Sequence, residues 1–261
     1  MCSASGDAAA PMQPLATGIA DLGALAPAPD PALLEELVIA NRILFDHGVV
    51  DAFGHVSARH DKAPDRFLLA RNMAPALVSA SDLLEFDLSG NPVAAAGRAV
   101  YLERFIHGEI YRARPEVHAV VHSHSPAVVP FGAVAQAPLK PIWHMSGFIG
   151  EAAPVFEIRD VAGDGSDLLI RDNALGAALA ASLGTASVVL MRGHGATIVG
   201  ASVRQAVFHA VYTEINARLQ MQAMALGKVT YLTREEADAT ARSVGGQINR
   251  AWDLWKRNFA G

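Results

Sequence analysis

Three histidines stand in sequence settings that suit metal coordination. His122 and His124 are separated by one residue at the end of an apolar run, and His194 lies between two glycines. Because side chains alternate along a strand, the first two project to the same side, about 7 Å apart. Two imidazoles at this spacing can bind one divalent ion, and a third completes a site that keeps positions open for a substrate.

Each of these signals has a simpler alternative. A His-x-His pair also occurs at strand ends without any ligand, and a histidine in a glycine-rich hairpin can be an ordinary loop residue. Pro126 follows the pair and ends the strand, which places both rings at its carboxyl end, where open α/β sheets bind ligands. The glycines beside His194 permit a close approach to the backbone. Together the two signals favour one shared metal site.

Glu103 is the candidate acid–base group. It lies in a segment whose apolar spacing predicts a helix at 101–112, and His107 follows on the same helical face. A carboxylate beside a metal-bound substrate can donate or accept a proton. The alternative is a solvated helix carboxylate, the usual situation of a glutamate.

Helices and strands alternate along the segments that must position these residues. The pattern predicts a helix that begins at Pro31 with Asp30 as N-cap, and a long helix to Leu226 with Ser202 as N-cap. Strands are expected at 49–59, 66–70, 83–88, 117–121, 155–158, 188–191 and 196–199, and further helices at 235–241 and 248–257. This mixture favours a single α/β domain, a sheet sandwiched by helices.

Composition excludes several classes of protein. The chain has 261 residues, 51% of them apolar, with one cysteine and a net charge of −5. These values argue against a disulfide scaffold and against binding to nucleic acid or an anionic membrane. The first 28 residues are rich in small residues and proline, so we expect a flexible tail at 1–28 before one domain at 29–261. Without a signal-like start or a long apolar run, the expected location is cytoplasmic.

The order and spacing of these motifs resemble the class II aldolase/adducin family from about Leu33 to Leu226. The matching segments are Phe53–Arg59, Glu103–Pro115, Ala119–Pro126 and Arg192–Gly200. The resemblance implies a central, largely antiparallel sheet between helices, and a homotetramer with active sites near subunit interfaces. It also implies that the three histidines bind one divalent metal ion per subunit and that Glu103 is the acid–base carboxylate.

The chain departs from the family members that cleave sugar phosphates at three phosphate-binding clusters. His55 replaces an asparagine, Arg71–Pro75 replaces a loop of small hydroxyl residues, and Val-Tyr-Leu at 100–102 replaces serines. Since short hydroxyls and bare backbone N–H groups suit phosphate, we expect a substrate without one. The larger residues suit a planar aromatic acid, whose carboxylate the guanidinium of Arg71 can bind through two parallel hydrogen bonds. The candidate substrate-binding residues are His55, Arg71, Tyr101 and His144.

This altered pocket resembles the branch of the family that decarboxylates hydroxylated aromatic or pyridine carboxylates and dicarboxylates. We therefore predict a metal-dependent carbon–carbon lyase of aromatic compound catabolism, most similar to a decarboxylase. The alternatives are a class II aldolase for a non-phosphorylated hydroxy-oxo-acid and a non-catalytic, adducin-like binding module. The ligand set contains no thiolate, so Mn²⁺ or Zn²⁺ is expected, with Fe²⁺ and Co²⁺ also compatible, and the resemblance favours Mn²⁺.

Overall fold

The structure, a computed structural model, describes residues 27–259. The tail predicted at 1–28 lies, apart from its last two residues, outside the described residues, as do the last two residues of the predicted domain. One seven-stranded sheet organises the described part of the chain. Its strands are β1 His55–Arg59, β2 Arg66–Ala70, β3 Leu83–Asp87, β4 Ala119–Ser123, β5 Val155–Phe156, β6 Val188–Met191 and β7 Gly195–Gly200.

The helices connect and cover these strands. They are α1 Pro31–Asp46, α2 Arg104–Ala113, α3 Val129–Ala133, α4 Arg159–Ala162, α5 Asn173–Leu183, α6 Val203–Leu226, α7 Arg234–Gly245 and α8 Ile248–Lys256. Short 3₁₀ helices occur at Pro75–Leu77, Ala80–Asp82 and His144–Ile149. None of the helices found within residues 27–259 has both the length and the apolar character needed to cross a membrane.

The strand order is β3-β2-β1-β4-β7-β6-β5, and every neighbouring pair is antiparallel except β5 and β6. The central strands are buried on both faces, which explains why β6 reads as an unbroken apolar run rather than an alternating one. β4 lies between β1 and β7, and His55 is the register partner of His122. The ends of three strands therefore meet where the histidines are.

Two hydrophobic cores lie on opposite faces of the sheet. Helices α1, α6 and α8 pack on the face that includes Val121, while α2 and α5 pack on the face that includes Val120. Neighbouring valines of one strand enter different cores because side chains alternate across a sheet. The result is a largely antiparallel sheet between two helical layers, which confirms the predicted fold class.

Two of the predicted helix starts are confirmed by their caps. The Asp30 carboxylate accepts a hydrogen bond from the Ala32 N–H at 2.9 Å, and Pro31 occupies the first helical position. The Ser202 hydroxyl accepts from the Gln205 N–H at 3.2 Å. In both cases a side-chain oxygen satisfies an N–H that has no partner inside the helix.

Several elements differ from the expectation. The strand expected from residue 49 begins only at His55, because Gly54 has φ +93°, which lies outside the β region. An added Cβ at this position would lie 2.6 Å from Val50 Cγ1, so glycine is the residue that fits. The helix expected from residue 101 begins at Arg104, so Glu103 immediately precedes it. Helix α5 was not expected, since its sequence is apolar around almost the whole circumference and lacks a helical period.

Candidate functional site

Four side chains from separate parts of the sequence converge at one end of the sheet. The Nε2 atom of His124 lies 3.1 Å from Nε2 of His122 and 2.9 Å from Nε2 of His194. The Oε2 atom of Glu103 lies 3.5 Å from Nε2 of both His122 and His194. The candidate ligand atoms of the four residues all lie within 4.8 Å of one another.

These distances fit a metal ion. An ion about 2.1 Å from each nitrogen places neighbouring ligand atoms about 3 Å apart, as the imidazole nitrogens are here. Without a cation, the facing nitrogens would bring acceptor lone pairs together, which is unfavourable among neutral imidazoles. The donor set, three imidazoles and one carboxylate, also belongs to the types that bind divalent transition metals.

Strand geometry brings the three rings together. His122 is in β4 on the α2 face of the sheet, His124 follows the end of this strand, and His194 is in the turn between β6 and β7. A Cβ on Gly195 would overlap the backbone oxygen of Ser123 and lie 3.1 Å from the Cα of His124. Only glycine therefore lets this turn lie against the end of β4, and the close approach sets His194 beside His124.

The segment 168–170, for which the sequence analysis assigned no role, orients two of the four side chains. His194 Nδ1 lies 2.9 Å from the carbonyl oxygen of Leu168, and Glu103 Oε1 accepts a hydrogen bond from the Ile170 N–H at 2.9 Å. A carbonyl partner at Nδ1 leaves Nε2 of His194 free as a ligand atom. Leu168 has φ +70°, a conformation unusual for leucine, and no sequence signal marks it.

Burial sets the protonation of the site. It raises the pKa of Glu103 to about 7, opposed by the Ile170 N–H and by the charge of Arg171. It lowers the pKa of His122, and the neighbouring imidazoles lower it further. Burial also lowers the pKa of His124 and of His194. The rings are thus held neutral, which is the form that binds metal.

A cavity of about 380 Å³ opens beside the four residues. Glu103, His122 and His124 line one side of it, and apolar or aromatic residues form most of the rest. The latter include Ala52, Phe53, Met73, Tyr101, Leu102 and Leu169. This space, polar on one side and mainly apolar elsewhere, has room for a small ring compound.

The fold brings two of the four predicted substrate-binding residues into this cavity. His55 and Tyr101 line it, with ring centroids 4.6 Å apart. Arg71 forms an ion pair with Asp82 at 2.7 Å and lies close enough for its charge to lower the pKa of Tyr101, which burial raises. His144 lies in a separate groove beside α6 and α8. Substrate binding by all four stays a prediction.

A further set of residues lies behind His55. His107, expected to share a helical face with Glu103, instead has Nε2 2.7 Å from Nδ1 of His55. Its Nδ1 lies 2.6 Å from Oγ of Ser57, which in turn lies 2.8 Å from the Tyr111 hydroxyl. Sequence reasoning missed this chain of contacts. Strand alternation places Ser57 on the face of His55, which is the one signal available for it.

Comparison with known proteins places the chain in a family. The Class II Aldolase and Adducin N-terminal domain matches residues 35–221. The chain is 41% identical over 238 residues to Decarboxylase tropJ of Talaromyces stipitatus, covering 82% of this chain and 89% of that protein. It is 31% identical over 241 residues to 3,4-dihydroxyphthalate decarboxylase of Arthrobacter keyseri, covering 87% and 92% respectively.

A solved structure agrees at the level of the fold. The L-fuculose 1-phosphate aldolase from Glaciozyma antarctica superimposes with a TM-score of 0.70 at 24% identity, covering 87% of this chain and 89% of that one. The resemblance inferred from the motifs is thus confirmed, and the chain belongs to the class II aldolase/adducin family.

Proposed function

We propose that this protein is a divalent-metal-dependent decarboxylase of hydroxylated aromatic or pyridine carboxylates. One observation carries the proposal: three imidazoles and a carboxylate converge beside a cavity whose other walls are mainly apolar and aromatic. Two similar relatives support it by name, since both are decarboxylases and one acts on 3,4-dihydroxyphthalate. The cavity walls suit a planar ring better than a sugar phosphate.

His122, His124 and His194 would hold the ion through their Nε2 atoms. When bound, a divalent ion supplies Lewis acidity toward oxygen atoms of the substrate. We propose Mn²⁺ or Zn²⁺, and imidazole ligands without thiolates are also compatible with Fe²⁺ and Co²⁺.

Glu103 is the proposed proton donor. Decarboxylation breaks the bond between a ring carbon and the carboxylate carbon, and the electron pair stays on the ring carbon as carbon dioxide leaves. That carbon then takes a proton, which Glu103 supplies and later regains from water. The Ile170 N–H holds Oε1, so that Oε2 is the oxygen turned toward the histidines.

The apolar walls would position the ring and exclude water. Phe53, Met73 and Tyr101 border the cavity, and the Tyr101 hydroxyl donates a hydrogen bond to the Met73 carbonyl. This contact joins two segments of the wall, the loop after β2 and the residues before α2. A ring packed there keeps its acidic groups on the polar side of the cavity.

Carbon dioxide release tests the proposal. Protein loaded with Mn²⁺ or Zn²⁺ is supplied with a panel of hydroxybenzoic, hydroxyphthalic and hydroxypyridine carboxylic acids. We expect carbon dioxide from at least one acid, loss of this activity with a chelator, and recovery when the metal is restored. Aldehyde release from hydroxy-oxo-acids would instead identify an aldolase, and inertness of the metal-loaded protein toward both panels would favour an adducin-like binding module.

We also propose a homotetramer with the cavity near subunit interfaces, and a cytoplasmic location. Both proposals come from the family resemblance and the composition. Light scattering on the purified protein tests the first, and fractionation of cells tests the second. A monomer that is fully active would contradict the proposed assembly.

A further inference from the structure

A buried chain of hydrogen bonds runs from the cavity wall into the core. It joins His55 to His107 at 2.7 Å, His107 to Ser57 at 2.6 Å, and Ser57 to Tyr111 at 2.8 Å. His55 is 5% exposed, and the other three side chains are 1% exposed or less. A polar chain this deeply buried requires every proton to have a defined acceptor.

His55 is the member of this chain that borders the cavity. Its ring centroid lies 4.6 Å from that of Tyr101 and 5.0 Å from that of His122. Its Nδ1 is occupied by His107, and Nε2 has no hydrogen-bond partner among residues 27–259. The nitrogen left to meet a bound molecule is therefore Nε2.

The buried end of the chain sets its direction. Among the described residues, Ser57 is the side-chain partner of the Tyr111 hydroxyl. The phenol proton must then go to Ser57, because the reverse direction would leave a buried donor unpaired.

The remaining protons follow in order. Ser57 accepts from Tyr111 and donates to Nδ1 of His107. A neutral His107 with Nδ1 as acceptor carries its proton on Nε2, and this N–H donates to Nδ1 of His55. His55 then carries its own proton on Nε2, which makes that edge of the ring a hydrogen-bond donor.

We propose that Tyr111, Ser57 and His107 hold His55 in the tautomer with the proton on Nε2, and that this N–H binds an acidic oxygen of the aromatic acid in the cavity. The identity of the ligand rests on the proposed function, whereas the tautomer of His55 rests only on the chain of hydrogen bonds. Tyr111, Ser57 and His107 are positioning residues, and His55 is the residue that touches the substrate. The neutral Nε2–H of His55 binds an anionic oxygen of the ligand more strongly than it binds an edge of the ligand's ring that carries no hydroxyl group.

The tautomer is tested by nitrogen NMR on protein labelled with ¹⁵N-histidine and loaded with diamagnetic Zn²⁺. The signals of His55 are assigned by their absence in His55→Gln. We expect an unprotonated Nδ1 and a protonated Nε2, and a mixture of tautomers in Tyr111→Phe. Thr213→Val is the matched control, since it removes another buried hydroxyl, bonded to the His209 carbonyl at 2.7 Å, and should leave these signals unchanged. A protonated Nδ1 in the native protein, or unchanged signals in Tyr111→Phe, would overturn the assignment.

The substrate contact is tested with the acid that releases carbon dioxide fastest in the panel above. His55→Leu should raise KM about 10-fold or more, with a smaller effect on kcat, because a hydrogen bond to a charged group is lost. His55→Gln, whose amide N–H can reach the position of Nε2, should recover most of this loss. An unchanged KM in His55→Leu would overturn the contact.

The two readouts separate this inference from the proposed function. If no acid of the panel releases carbon dioxide, the proposed function fails, while NMR still confirms or overturns the tautomer. If carbon dioxide is released but His55 is protonated on Nδ1, the proposed function stands and this inference fails.

Discussion

At the level of single residues, the site combines groups whose protonation is set by burial rather than by paired charges. Burial lowers the pKa of His122, and it raises the pKa of Glu103 to about 7. Neutral imidazoles bind a cation, and a carboxyl group with a pKa near neutrality exchanges protons with little free-energy cost. Because these imidazoles are neutral, the contacts of 3.5 Å between Glu103 and the histidines are not ion pairs.

Glu103→Gln is expected to lower kcat about 100-fold or more, because the amide cannot donate the proton that the ring carbon needs. Metal content should stay near that of the native protein, since the histidines remain. Glu109→Gln is the matched control: this buried carboxylate bonds Asn173 at 2.6 Å and does not line the cavity. Turnover rates and metal analysis of both variants provide the check, and an unaltered kcat in Glu103→Gln would remove it from the mechanism.

A buried histidine outside the site predicts a loss of stability in acid. His209 on α6 stacks on Phe148 with centroids 4.1 Å apart, and burial lowers its pKa to about 4, opposed by a hydrogen bond to the Val199 carbonyl. The unfolded chain takes up this proton near pH 6.5 and the folded chain only near pH 4, so the free energy of unfolding falls as the pH drops between them. The fall is up to about 3 kcal/mol at about 1.4 kcal/mol per pKa unit.

Chemical denaturation at several pH values, compared between the native protein and His209→Gln, measures this contribution. The variant is expected to be less stable at neutral pH but to lose less stability between pH 6.5 and pH 4. Identical pH slopes for the two proteins would show that His209 does not contribute.

At the level of elements, the site depends on how closely strand ends and turns approach one another. β4 provides one ring and positions a second just after its end, while the turn between β6 and β7 provides the third. A loop before α5 contributes backbone groups to Glu103 and His194. None of these segments could hold the four groups together alone.

Gly195→Ala should therefore weaken the site as well as the fold. Its Cβ would overlap the Ser123 backbone oxygen, so β7 and β4 must move apart, which costs about 1–3 kcal/mol of stability. The same movement separates His194 from His124 and should lower metal affinity. Gly245→Ala is the control, because an added Cβ at this end of α7 meets nothing within 4 Å. Denaturation and metal titration test the pair, and equal effects of the two substitutions would contradict the argument.

At the level of the whole molecule, the site lies at one end of a sheet whose two faces are closed by separate hydrophobic cores. The large buried side chains of the two cores, Trp252 on one face and Phe67 on the other, hold the sheet between the helical layers. Closely packed cores hold the strand ends in position in the absence of a ligand. A metal ion that binds there should stabilise the folded chain without reorganising it.

Metal is expected to raise the melting temperature. At free metal about 100 times Kd, binding to the folded state alone adds about 2.7 kcal/mol, roughly 5–10 °C for a chain of this size. Thermal unfolding with and without Zn²⁺ or Mn²⁺ measures the shift. His122→Ala should abolish the shift in melting temperature, while His118→Ala, which changes an exposed histidine, should preserve it. A full shift in His122→Ala would mean that the ion binds elsewhere.

The amino-acid sequence by itself determined the fold class, the caps of α1 and α6, and the identity of the residues that converge. These features depend on local patterns, such as the alternation that aims His122 and His124 to one side, or on motif order. The tertiary structure alone decided the contacts of Leu168 and Ile170, the partners of His107, and the separation of His144 from the cavity. Those depend on packing between residues far apart in the chain, which no local pattern encodes. Helix α5 was not predicted because its sequence is apolar around most of its circumference and therefore has no helical period to detect.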